Sequence, residues 1–161
     1  KSSSIAEALG SVDSINSYLG LVKVESRNSG FEIGEAKFFE IIDDVQQNLF
    51  IVQAELAGAD KTIGKEKVDQ MSDLINQIEK ELPAIKNFFF FFGCHMSSVF
   101  DFARTLARTA ERRVVSAKEE GKITVQSNTL AYLNRLSSLL YALARFSNHL
   151  SAVEEVRPDY Q

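Results

Sequence analysis

Apolar residues recur every three or four positions through most of this chain, a spacing that predicts amphipathic α-helices. A first helix of about twenty residues is followed by a second from about Glu35 to Ala57 and a third that ends before Pro83. A fourth helix stops by Gly121, and a fifth runs from about Ser127 to Ala152. The apolar positions that define the five helices are Ile5, Leu9, Val12, Ile15, Leu19 and Val22; Phe38, Ile41, Ile42, Val45, Leu49, Val52 and Leu56; Val68, Met71, Leu74, Ile75 and Ile78; Phe102, Ala103, Leu106, Ala107, Ala110 and Val114; and Leu130, Leu133, Leu136, Leu140, Leu143 and Leu150.

The segments between these helices are short and contain residues that interrupt helices. Ser26–Gly34, with one asparagine and two glycines, is expected to be a loop, and Gly58–Gly64 separates the second helix from the third. Only Lys122–Val125 and the phenylalanine run Phe88–Phe92 have an extended pattern. The pattern therefore predicts an all-α protein, a compact five-helix bundle that forms one domain over residues 1–161.

Composition narrows the classes of function. The 161 residues are 45% hydrophobic and 25% charged with a net charge of -4, which is typical of a globular domain and argues against nonspecific binding to nucleic acid. The single cysteine, Cys94, excludes an internal disulfide framework and favours the reducing cytoplasm. No apolar run is long enough to cross a membrane. We therefore expect neither a nucleic-acid partner nor a membrane partner.

The fourth helix carries the most informative chemistry. It is expected to begin near Ser97 or Ser98 as its N-cap. Arg104, Arg108 and Arg112 follow at intervals of four, so three guanidinium groups stack along one face of the helix. Like charges at this spacing repel, and each guanidinium presents a fork of donors that fits a phosphate or a carboxylate. The row predicts a binding site for a polyanion.

Polar residues on two other helices are candidate companions of this row. Asn134 and Arg135 lie among leucines of the fifth helix, and Asp13 and Asn16 lie among apolar residues of the first. A buried asparagine requires a hydrogen-bond partner, which a ligand or the backbone could provide. From residue chemistry alone, interhelical ion pairing or a solvated face explains the set about as well as a ligand site.

Other chemistries lack their required residues. Neither His95 nor His149 follows a glutamate by three positions, and no His-Glu-x-x-His or Cys-x-x-Cys sequence occurs, so we expect no protein-held metal site. Gly58–Lys65 has the wrong glycine spacing for a phosphate loop. Cys94 is interpreted as a loop cysteine and His149 as a surface residue at the end of the last helix.

Four segments together resemble one enzyme family. Ala103–Arg113 (Ala-Arg-Thr-Leu-Ala-Arg-Thr-Ala-Glu-Arg-Arg) and Tyr132–Ser137 (Tyr-Leu-Asn-Arg-Leu-Ser) are similar to the signature of the PduO-type ATP:corrinoid adenosyltransferases. Glu7–Asn16 resembles the first-helix motif of that family, and Gln53–Ala57 resembles its second-helix segment. The four segments occur in the family's order over nearly the whole chain, which makes the resemblance more specific than any single motif.

The resemblance implies a fold, a reaction and partners. Members of this family are five-helix bundles of the ferritin-like, cobalamin-adenosyltransferase type that form homotrimers with ATP sites between subunits. They transfer the 5′-deoxyadenosyl group of ATP to the cobalt of cob(I)alamin and release triphosphate, with ATP and Mg²⁺ as cofactors and cobalamin as a substrate. A flavoprotein reductase and an adenosylcobalamin-dependent enzyme are expected partners. The alternatives are a non-catalytic ATP- or corrinoid-binding sensor or carrier and a purely structural bundle.

The resemblance also assigns roles to individual residues. Arg104 corresponds to the arginine that pairs with the first-helix aspartate, here Asp13, across the subunit boundary, and both are expected to be catalytic residues. Arg108 is expected both to act in catalysis and to bind ATP. Asn134 and Glu111 are expected to bind ATP.

Two further assignments lie outside the arginine helix. Lys1 resembles the lysine that ends a Thr-Gly-Asp-x-Gly segment that binds phosphate, and we expect this segment to be disordered or trimmed upstream of residue 1. Phe88 resembles the aromatic residue that covers the lower face of the corrin, although Phe91 and Phe92 stand where the family has proline and glycine.

Overall fold

The computed structural model describes residues 3–90 and 93–160 and contains the five expected helices within these ranges. They are α1 (Ser4–Ser29), α2 (Phe38–Leu56), α3 (Lys65–Lys80), α4 (His95–Glu119) and α5 (Ser127–Leu150). A two-residue antiparallel hairpin, β1 (Glu32–Ile33) and β2 (Ala36–Lys37), joins α1 to α2.

The helices alternate in direction along the chain. Contacts near both ends of α1 demonstrate this arrangement, because Glu7 pairs with Arg113 at 2.9 Å while Glu25 approaches His95 at 3.3 Å. Helix α4 packs mainly against α1 and α5, and α5 also receives α3. The apolar sides of all five helices meet in one core, as the periodicity predicts.

Small residues bring α4 close to its two neighbours. Ala103, Ala107, Ala110 and Ala117 are fully buried, with Val114 between the last two. Alanine side chains allow helix axes to approach more closely than leucine side chains do. The interpretation of α4 as a packed helix is therefore confirmed, although Phe102, one of the expected core positions, is about half exposed and rests edge-on against Tyr18.

Three element boundaries differ from the sequence-based expectation. Helix α1 continues through Ser26 to Ser29 and ends at Gly30, whose φ of 68° is accessible to glycine without strain. The two-residue hairpin was not predicted, because strands this short carry no periodic signal. The N-cap of α4 is Cys94, whose sulfur accepts a hydrogen bond from the Ser97 amide, so the expectation of a serine cap was wrong.

A buried carboxylate of α2 caps the start of α5. One Glu55 oxygen accepts a hydrogen bond from the Gln126 amide at 2.7 Å, and the other accepts one from the Thr129 hydroxyl. Glu55 is 8% exposed, and Gln126 makes no side-chain cap of its own. The negative charge lies at the positive end of the α5 dipole, where it is stabilised.

Within residues 3–90 and 93–160, no helix combines the length and apolar character that a membrane span requires.

We predict that Glu55→Ala lowers the free energy of unfolding by about 2–3 kcal/mol, because it removes the acceptor of the buried Thr129 hydroxyl and of the Gln126 amide at the start of α5. Urea denaturation at one fixed protein concentration measures the change. The control is Glu79→Ala, which removes an exposed α3 glutamate and should change stability by less than about 0.5 kcal/mol. Equal effects of the two substitutions would contradict the capping role.

Candidate active site on helices α4 and α5

The three arginines of α4 have different partners. The Arg104 guanidinium donates to Asp101 at 2.8 Å, within the same helix. Among the described residues, Arg112 donates only to the neutral Thr109 hydroxyl at 3.3 Å. Arg108 is exposed and has no hydrogen bond or ion pair with any residue in 3–90 or 93–160. Two of the three positive charges thus have no ion-pair partner in the part of the chain that the structure describes.

Arg108 and Arg112 face an open groove between α4 and α5. At its edge the Asn134 amide donates to Glu111 at 2.8 Å, which joins two of the expected ATP ligands across the helix pair. Asn134 is exposed, so its hydrogen-bond partner is a carboxylate at the groove and not a buried backbone group. The groove has a volume of about 370 Å³ and is lined by Arg108, Glu111, Arg112, Val115, Ser116, Glu119 and Asn134.

A second cavity lies beside the groove and has an aromatic wall. Its volume is about 420 Å³, and Asp101, Arg104 and Tyr141 form one side of it. The other side consists of Phe88, Phe89 and Phe90 from the α3–α4 connection. Phe88 is 79% exposed, so this ring contributes apolar surface that the fold itself does not cover.

The antiparallel pairing of α4 and α5 explains why the two cavities are neighbours. Glu111 of α4 contacts Asn134 of α5. Arg104 lies seven residues before Glu111, and Tyr141 lies seven residues after Asn134, so these two residues also face each other and both line the aromatic cavity. Arg104 and Arg108 are one helical turn apart, about 6 Å along the axis. The arginine row therefore runs from the aromatic cavity into the groove.

Tyr141 is a site residue that the sequence analysis missed. Burial raises the pKa of the Tyr141 phenol above its usual value, so it stays protonated and able to donate a hydrogen bond at neutral pH. The available signal was its spacing, because Asn134, Ser138 and Tyr141 fall on one face of α5.

Two expected site residues lie elsewhere. Asp13 is exposed on α1, where its carboxylate accepts a hydrogen bond from Gln53 of α2 at 3.3 Å, and it does not contact Arg104 in this chain. Lys1 lies outside the described residues.

The remaining candidates have structural roles. His149 is exposed, as expected, and stacks on Phe146 with 5.9 Å between ring centroids. Cys94 is a free thiol at the N-cap of α4. Among the residues described, no three His, Cys, Asp or Glu side chains gather in a way that could hold a metal ion.

The fold and the site define a helical-bundle protein with an arginine-lined groove next to an aromatic cavity. A sequence profile of the cobalamin adenosyltransferase family matches residues 1–147. The chain is 34% identical over 161 residues to a corrinoid adenosyltransferase from Bacillus subtilis, with 97% of this chain and 80% of the relative covered. It is 32% identical over 150 residues to the corrinoid adenosyltransferase PduO of Citrobacter freundii, covering 89% of this chain and 42% of the relative.

Solved structures agree with these relatives. A phenylalanine-to-histidine variant of the PduO-type ATP:corrinoid adenosyltransferase from Lactobacillus reuteri, complexed with cobalamin and ATP, superposes with a TM-score of 0.84 at 25% identity. The match covers 98% of this chain and 85% of that chain. This chain belongs to the cobalamin adenosyltransferase family. Its activity is ATP-dependent adenosylation of cobalamin. The comparisons thus confirm the fold, the family and the enzyme class expected from the sequence.

Because Arg108 has no ion-pair partner among the described residues, we predict that its replacement and that of Arg104 change the free energy of unfolding differently. Arg104→Gln should lower the free energy of unfolding by about 0.5–1 kcal/mol, since it removes the ion pair with Asp101. Arg108→Gln should leave stability unchanged or raise it by about 0.2–0.5 kcal/mol, since it removes like-charge repulsion.

Urea denaturation without nucleotide, at one protein concentration, measures both changes. A loss of stability in Arg108→Gln as large as that in Arg104→Gln would show that Arg108 serves the fold and not a ligand.

Proposed function

We propose that the α4–α5 face performs the transfer with ATP in the arginine groove and the corrin in the aromatic cavity. The observation that carries this proposal is the adjacency of the two cavities, joined by Arg104 and Arg108 one turn apart. Adenosyl transfer requires the cobalt and C5′ of ATP to meet, so the sites for the two substrates must lie side by side.

The reaction needs charge stabilisation more than acid–base chemistry. The electron pair of Co(I) forms the bond to C5′ while the C5′–oxygen bond breaks, and the electrons of that bond leave with the triphosphate. The cobalt is formally oxidised to Co(III), and no proton is transferred. Negative charge grows on the departing oxygen, and Arg108 and Arg112 line the groove where that charge would develop. Donors in place before the reaction stabilise this state more than bound ATP.

Arg108, Asn134 and Glu111 form the proposed ATP-binding set. The unpartnered Arg108 guanidinium suits a phosphate, while the bond from Asn134 to Glu111 fixes the positions of both groups at the groove. Lys1 is proposed to contribute to phosphate binding together with the segment expected before it.

The donor set of the groove fits a magnesium ion that arrives with the triphosphate. Mg²⁺ usually takes one or two protein carboxylates and fills its remaining positions with phosphate oxygens and water. Glu111 and Glu119 offer such carboxylates in the groove and would hold the ion there. When bound, it would supply further positive charge near the leaving group.

Phe88 is proposed to cover the lower face of the corrin. A phenyl ring has no donor atom for cobalt, so it would keep the lower axial position free of a ligand. Removal of that ligand makes reduction to nucleophilic Co(I) easier. The exposure of Phe88 at the rim of the cavity supports this role.

A homotrimer is proposed to complete the site. Arg104 faces the cavity that it shares with Tyr141 of α5, whereas Asp13 bonds to Gln53 of α2. Because these two side chains have different neighbours within one chain, the expected Asp13–Arg104 pair requires a second copy. Symmetric contacts between copies are the common way to build such shared sites.

The expected cellular partners follow from the chemistry of the substrates. Cob(I)alamin is a strong reductant that must be generated close to its use, so we propose a flavoprotein reductase as electron donor. An adenosylcobalamin-dependent enzyme is the proposed recipient of the product. The free thiol of Cys94 is compatible with the proposed cytoplasmic location.

The first prediction for this mechanism concerns Arg108. Arg108→Gln should lower kcat/KM for ATP by about 10²–10³-fold, the usual cost of removing a donor to a developing anion, and weaken tripolyphosphate binding. Arg108→Lys keeps the charge but loses the fork, so it should lie between Arg108→Gln and the unsubstituted protein. An anaerobic assay with ATP, magnesium and chemically reduced cobalamin, followed by visible absorbance, measures the rate.

Lys118→Gln is the control, because it removes an exposed cation of α4 that lines neither cavity. Activity of Arg108→Gln within threefold of that control would overturn the role of Arg108. ATP binding without formation of adenosylcobalamin would favour a sensor or carrier.

The second prediction concerns Phe88. Phe88→Ala should raise the KM for cob(I)alamin by about 10–100-fold, corresponding to the loss of one buried phenyl contact, while the KM for ATP stays unchanged. The matched control is Phe50→Ala on α2, since Phe50 is also exposed but lines neither cavity. A parallel rise in both KM values would point to general damage and not to loss of a corrin contact.

A further inference from the structure

Arg145 is the most deeply buried arginine among the described residues, and its side chain is 3% exposed. It lies near the end of α5, among residues that form the core. A guanidinium removed from water requires a carboxylate and satisfied hydrogen bonds. Glu155 provides both, because it accepts from the Arg145 Nε at 2.5 Å and from Nη2 at 3.1 Å.

This ion pair ties the segment after α5 back onto the helix. Glu155 lies in residues 151–157, here called the C-terminal strap. No residue of the strap is fully buried, so the bidentate pair with the buried Arg145 is its strongest attachment to α5. The Val153 amide, which donates to the Asn148 carbonyl at 2.9 Å, adds a backbone contact.

The same guanidinium also holds the α3–α4 connection. Its Nη2 donates to the Pro83 carbonyl at 3.0 Å, and its carbon lies 5.6 Å from the centroid of the Phe89 ring. Arg145 therefore joins α5, the strap and the segment that carries the aromatic wall of the cavity. Cation–π contact over a partly desolvated ring is favourable.

The strap contacts the aromatic segment directly at two further points. The Phe90 amide donates to the Val156 carbonyl at 2.9 Å in an antiparallel bridge. At Gly93, with φ of 116°, a Cβ atom would lie 2.3 Å from a Val153 methyl group. The chain thus needs glycine there both for its backbone conformation and for the close passage of the strap.

Phe88 has no hydrogen bond through its backbone and no ring contact of this kind with the residues in 3–90 and 93–160. It is 79% exposed, so its position depends on its neighbours in the chain. Phe89 and Phe90 follow it directly, and both are held by Arg145 or by the strap.

We propose that the Arg145–Glu155 pair is a positioning latch that holds the aromatic wall, and Phe88 with it, in place for the corrin. This inference rests on the proposed role of Phe88 in covering the corrin. Arg145 and Glu155 act through the wall and do not touch the substrates. Loss of the latch should therefore weaken corrin binding and leave ATP binding unchanged, because neither residue lines the ATP groove.

The test compares Glu155→Gln, which keeps the shape of the side chain and removes its charge, with Arg145→Met as a second variant. Hydrogen exchange should show faster exchange of the Phe90 amide, whose acceptor Val156 lies in the released strap. The KM for cob(I)alamin should rise by roughly 10–100-fold, as expected for a displaced contact group, with the dissociation constant for ATP unchanged. The neighbouring exposed Glu154→Gln is the control and should change neither quantity.

Unchanged exchange at Phe90 in Glu155→Gln would overturn the latch, as would equal losses of corrin and ATP affinity. The role of Phe88 is tested separately by Phe88→Ala. If Phe88→Ala has no effect but Glu155→Gln still speeds exchange and raises the corrin KM, the role of Phe88 fails and the latch stands. If Phe88→Ala raises the corrin KM while Glu155→Gln changes nothing, the latch fails alone.

Discussion

The packing of α4 between α1 and α5 is the constraint on which the rest of this site depends. Buried alanines allow α4 to lie close to both neighbours, and the antiparallel pairing with α5 sets which residues meet. Glu111 and Asn134 mark one level of that pairing, and Arg104 and Tyr141 mark another. Both cavities are consequences of this single register, since a shift of α4 by one residue would rotate the arginines away from the groove.

The arginines of this structure differ in whether a carboxylate pairs with them. Arg145, buried near the end of α5, donates two hydrogen bonds to one carboxylate, whereas Arg108 on the rim of the groove has no anionic partner among the described residues. Repulsion along the arginine row weakens the free protein slightly, and a bound triphosphate would reverse that cost. Arg108 and Arg112 therefore stand out as arginines without an ion-pair partner among the described residues, which supports the proposed site for a polyanion.

The two substrates call for different kinds of wall. The arginine groove is built on the sides of two rigid helices, which suits the precise placement of donors. The aromatic cavity is closed on one side by a connecting segment, whose position depends on the strap and on Arg145. A segment held from outside a helix can present a large apolar surface to a bulky corrin without disturbing the core.

The sequence by itself determined the five helices, because apolar periodicity and breaking residues are local properties, and it singled out Arg104 and Arg108 through their spacing. Asn134 was singled out as a polar residue among leucines and Glu111 through the family motifs, while Tyr141 was overlooked because one tyrosine in an apolar helix resembles a core residue. Only the tertiary structure decided that Asn134 bonds to Glu111, that Glu55 caps α5 and that Arg145 holds the aromatic wall. These contacts join residues distant in sequence, and their geometry depends on how whole helices pack, which no local pattern encodes.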